Sequence, residues 1–171
     1  MRIPTLVITN LLLAASVTWG GEAAPGGIVD GAAAFDRLKG LAGQWEADTP
    51  AGKARLSYEL IAGGSALVER VAMGTMPVML TVYNLDGGRL LLTHYCMAGN
   101  QPRMQAQAFD PATGNLEFRF LDATNLPNPA AGHMHNASFR LIDADHLATA
   151  WEFYEDGHLK MTETARYTRV R

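Results

Sequence analysis

Four side chains in this sequence have the chemistry to hold a metal or activate a nucleophile: His94, Cys96, His133 and His135. His133 and His135 stand two apart in the run His133-Met134-His135, so on a strand they share a face, about 6–7 Å apart along the chain. Two such imidazoles hold a zinc or copper ion once a neighbouring strand brings a third donor, and His94 or Cys96 is the natural candidate. His94 and Cys96 also share a face. A Cys–His nucleophile needs its base within hydrogen-bond reach of the sulfur. Residues two apart on a strand meet that condition only in favourable rotamers, so the expected state of Cys96 is a buried, inert thiol.

The same stretch, Arg89 to Gln107, suggests a binding wall. Leu90, Leu92, His94 and Cys96 alternate with Leu91, Thr93, Tyr95 and Met97, and both rows are largely apolar. A strand apolar on both sides is covered on one face and lines an enclosed space on the other. Expected wall contacts are His94, Tyr95, Arg103 and Trp151, for a small apolar or amphipathic molecule. Met73, Met76, Met79, Met97, Met104 and Met134 would supply adaptable surface. Pattern alone leaves open which row of Arg103 to Ala108, or of Glu117 and Arg119, faces inward.

These residues must be positioned by strands. The one helix expected runs over Ala32–Leu41, capped by Asp30, with Phe35, Leu38 and Leu41 at helical spacing. Everything after it has period two, in runs tied by short turns such as Asp86-Gly87-Gly88, Asp110 to Gly114 and Glu155-Asp156-Gly157. No connection has room for a crossover helix. The Pro-rich segment Ala123 to Gly132 belongs at a rim. The expected fold is all-β: a closed antiparallel up-and-down barrel of about ten strands with one short N-terminal helix, since closure removes exposed edges. A two-sheet sandwich is the competing architecture.

A short helix leading into Gly43-Gln44-Trp45, followed by such a meander, resembles the calycin group: lipocalins, fatty-acid-binding proteins and nitrobindin-like barrels. The resemblance implies that Trp45 plugs the closed end and that the interior takes a ligand. The Arg-x-Tyr carboxylate pair of fatty-acid-binding proteins is not matched, because Arg166 is followed directly by Tyr167. Likeness to nitrobindin-like barrels implies ferric haem on one late-strand histidine, with His133, His135 or His158 as candidates. His146 and His158 flank turns and are expected at exposed strand ends. The stretch Thr93-His94-Tyr95-Cys96 is similar to small exported bacterial proteins of unassigned function.

Composition bounds the rest. Residues 1–24 read as a signal peptide: Arg2, an apolar core from Leu6 to Val17, and a small-x-small site at Gly21-Glu22-Ala23. The core falls short of the ~20 apolar residues a spanning helix needs. The chain is therefore expected to be exported, periplasmic or extracellular, with no membrane span after processing, and residues 32–171 form one domain. Net charge is −3 with no basic cluster, which disfavours nucleic acid. The leading expectation is an exported, lipocalin-like barrel that binds a ligand without catalysis and needs no cofactor. The alternative is a zinc-, copper- or haem-dependent protein built on His94, Cys96, His133 and His135.

Overall fold

The computed structural model describes residues 29–171 other than residue 51; the segment read as a signal peptide lies outside the described residues. Ten strands close into one barrel in the order β1-β10-β9-β8-β7-β6-β5-β4-β3-β2, every pair antiparallel. The strands are β1 (Gly43–Thr49), β2 (Gly52–Ile61), β3 (Ala66–Met73), β4 (Met79–Asp86) and β5 (Arg89–Tyr95). They continue as β6 (Gln101–Asp110), β7 (Asn115–Thr124), β8 (His133–Leu141), β9 (His146–Glu155) and β10 (His158–Val170). This is the up-and-down barrel that the alternating runs require. Among the described residues no helix is long and apolar enough to cross a membrane.

The helix α1 occupies Gly31–Lys39, with the Asp30 carboxylate accepting the Ala33 N–H at 2.9 Å. It closes one end of the barrel. Its first residue, Gly31, lies against the backbone of the β4–β5 turn, where a Cβ would stand 2.2 Å from the Gly88 carbonyl oxygen, so only glycine fits. Further along, Arg37 donates to the carbonyl of Leu141 at the end of β8. Phe35, Leu38 and Leu41 join Trp45 in the core as the floor.

Trp45 is held from two sides. Its indole N–H donates to Leu41 at 2.8 Å, and the Arg169 guanidinium lies 4.2 Å from the ring centroid. Arg169 also donates to the carbonyls of Gly40, Ala42 and Ala144. It thereby ties β10 to the helix–β1 connection, where the barrel closes.

β4 begins at Met79, because Pro77 just ahead of it has no N–H to give a ladder. β6 begins at Gln101, with Pro102 fully buried and paired with Ala123.

Candidate functional site

The middle of the barrel is packed solid. Tyr83, Phe118, Phe139 and Trp151 meet at tilted or edge-on angles with centroids 5.8–6.1 Å apart, the geometry aromatic rings prefer. Above them, away from the helix, a cavity of about 30 Å³ remains. It is lined by Leu56, Val71, Met79, Met134 and Trp151 on its apolar side, and by Glu69, His94, Thr149, Glu163 and Tyr167 on its polar side. The expected hollow thus exists but is small, against the ~300–1,000 Å³ of sites that take drug-sized ligands.

Its polar half is built from the inward rows of four strands, β3, β5, β9 and β10. Glu69 on β3 is 3% exposed and accepts a 2.7 Å hydrogen bond from the Tyr83 hydroxyl. Burial raises its carboxyl pKa, and the hydroxyls of Tyr83 and Tyr58 oppose that rise only in part. The Tyr58 oxygen lies beside this carboxyl but has no protein partner of good hydrogen-bond geometry. On β5, His94 is 3% exposed. Its Nδ1 is 3.0 Å from the Thr81 hydroxyl, its ring lies 5.0 Å from that of Trp151, and its Nε2 has no protein partner. Burial lowers its pKa to about 4, so the imidazole is neutral at pH 7.

Glu163 and Tyr167 come from β10. Burial raises the pKa of both, and the negative charges of Glu69 and Glu163 raise that of Tyr167 further. Glu163 pairs across strands with Trp151 and is half-buried. It stands beside a seam: β1 and β10 pair only through Gln44–Glu46 and Thr168–Val170, so β10 from His158 to Tyr167 runs without β1 as a partner. Thr81 is fully buried and does not line the cavity. The Thr81–His94 contact therefore orients the ring and presents no nucleophile to a guest.

Of the four expected wall residues, His94 and Trp151 face the cavity. Tyr95 is 50% exposed and Arg103 pairs with Asp122, so both belong to the outer surface. The row that points inward on β6 is Met104 and Ala106. Glu69, Tyr58, Tyr83, Glu163 and Tyr167 were absent from the sequence reading as ligand contacts. The one signal available was that Glu69 breaks an apolar row, Leu67-x-Glu69-x-Val71, that otherwise reads as core.

The four expected metal donors do not assemble. Among the described residues no three His, Cys, Asp or Glu side chains come together as a metal site. His133 and His135 do meet, with His133 Nε2 3.0 Å from His135 Nδ1, but His133 Nδ1 is 2.8 Å from the Ala131 carbonyl. A carbonyl only accepts, so His133 carries its proton on Nδ1, and both its nitrogens are used. His135 is stacked between Phe120 and Tyr154, with centroids at 4.7 and 4.4 Å. The pair is an aromatic plug where β7 and β8 separate beyond Arg119 and Asn136. Cys96 is partly buried against the core, and His146 and His158 are exposed. Haem does not fit this interior: the space is too small, and the one imidazole nitrogen facing it, on His94, sits in an early strand rather than a late one.

A second concavity, about 190 Å³, lies outside β7–β9, but its polar groups satisfy one another through Arg119–Glu117 and Asn136–Glu152.

No family model and no curated protein matches the chain. Two solved structures share its shape. Rv2717c from M. tuberculosis is 17% identical with a TM-score of 0.56, over 81% of this chain and 98% of that one. A protein with unknown function from the DUF3598 family, from Nostoc punctiforme, is 14% identical with a TM-score of 0.51, over 78% of this chain and 49% of that one. At these identities the likeness is one of fold: the chain is a closed ten-strand antiparallel barrel.

Proposed function

We propose that this chain is an exported barrel whose interior binds a small, mainly apolar molecule without converting it, at the cavity between Glu69, His94, Trp151 and Glu163. The observation that carries this reading is the His94 Nε2, a polar atom sealed from solvent, facing the cavity and unpaired by the protein. An unpaired buried polar group costs about 1–3 kcal/mol, and a guest that pairs with it returns that cost. Leu56, Val71, Met79 and Met134 offer the apolar wall, two of them with adaptable thioethers. The β1–β10 seam beside Glu163 offers a way in that needs no ladder to break. The cavity volume sets the guest at a few heavy atoms, well short of a fatty-acid chain.

Trp151 in the wall makes binding observable. Purified protein titrated with short alcohols, amides and amines should change its tryptophan emission and melt higher, by the usual linkage of ligand to folded state. Trp151→Phe should remove the emission change and keep the rise in melting temperature. Unchanged emission and melting across the whole panel would sink the reading.

A further inference from the structure

The charge of the cavity wall narrows the guest. Among its ten lining residues are two carboxyls, Glu69 and Glu163, and no lysine or arginine. The acids on the outer surface are treated differently: Glu46 has Lys53 and Arg55, Asp122 has Arg103, and Asp145 has Arg169 and Arg171. Of the interior pair, Glu69 accepts from the Tyr83 hydroxyl with the Tyr58 hydroxyl beside it, and Tyr167 lines the same cavity. A hydroxyl stabilises a carboxylate less than a cation does. An anionic guest would add a like charge in a poorly solvated space and gain no partner there. A cationic guest supplies the missing counter-charge. The ring of Trp151, paired across strands with Glu163, adds a face of the kind that attracts cations. His94 Nε2, neutral and unpaired, gives a third polar contact independent of the two acids.

Resting on the interior-binding reading above, we propose that the guest's polar end is a small organic cation, a protonated amine seated against Glu69 and Glu163 with Trp151 and His94 alongside. The rest of such a molecule lies against Met79, Met134 and Val71.

Calorimetric titration of the full chain with methylamine, methanol and formate at pH 7 tests the class. The amine should bind at least about tenfold more tightly than the alcohol, a difference of about 1.4 kcal/mol, and formate should give no heat of binding. Glu163→Gln, at a half-buried position, should bring the amine's affinity down to that of the alcohol. Alcohol binding as tight as the amine's would overturn the cation assignment and leave the interior site standing. Amine binding untouched in both Glu163→Gln and Glu69→Gln would place the amine elsewhere and overturn it too. No binding of any of the three would overturn the interior site and the cation assignment together.

Discussion

The Tyr83 hydroxyl donates to the buried Glu69 carboxyl at 2.7 Å, joining inward-facing residues of adjacent strands β4 and β3 across the middle of the barrel. It is the strongest support that acid has inside the barrel. Tyr83→Phe should therefore cost about 1–3 kcal/mol of folding stability, as expected when a buried acceptor loses its donor. The bond favours the ionised carboxyl, so the deficit should be larger at pH 8 than at pH 5. Urea denaturation at the two pH values measures it, and an equal deficit at both would show that Glu69 does not change its protonation between them.

His94 and Glu69 pull the pH dependence of stability in opposite directions. The folded His94 titrates at about 4, below its ordinary 6.5, so the unfolded chain binds the extra proton between those values. Its contribution is present above pH 6.5 and is lost as pH falls towards 4, about 3 kcal/mol in full. Glu69 is raised above 4.5, so its effect runs the other way: stability is greatest below 4.5 and falls as pH rises through the folded value. His94→Gln should flatten the acid limb of a plot of denaturation midpoint against pH from 4 to 6.5. Glu69→Gln should flatten the decline above 4.5 and steepen the acid limb. A His94→Gln curve parallel to the parent's would show that His94 does not govern that limb.

The meander was legible in the chain because tight turns and period two are local signals, and ten strands with short links leave closure as the way to hide the edges. The site was legible only in part. His94 and Trp151 stand in rows that the closed barrel turns inward, a choice the alternation had left open. Tyr95 and Arg103 were misplaced because β5 and β6 are apolar or mixed on both sides, and the inward choice is made by pairing partners far along the chain: Met104 opposite Leu92 and Arg103 opposite Asp122. Glu69 left only its break in an apolar row as a mark, and Glu163 escaped notice because an acid in an alternating row reads as the wet side of a strand. Only the barrel's closure turns that row inward. The His133–His135 pair was read correctly as sharing a face. What sequence spacing could not supply was the absence of a third donor: His133 Nε2 meets His135 Nδ1, and among the described residues no further His, Cys, Asp or Glu joins them.

The missing third donor leads to a prediction about metals. Prolonged dialysis against a strong chelator should leave the melting temperature unchanged, and added zinc should not raise it. A rise with zinc that disappears in His135→Ala would show that the plug opens to bind the ion.

Closure of the barrel depends on one guanidinium. Arg169 covers the Trp45 ring and donates to three carbonyls, from the helix end, the start of β1 and the β8–β9 turn. Arg169→Met keeps the apolar stem but loses the cation over the ring and orphans those acceptors, so it should cost about 2–4 kcal/mol. Arg169→Lys should recover little, because a single ammonium cannot reach three carbonyls held by a planar fork. Denaturant unfolding of the two variants checks this. A lysine variant as stable as the parent would mean that charge alone, without the fork, seals β10 against β1.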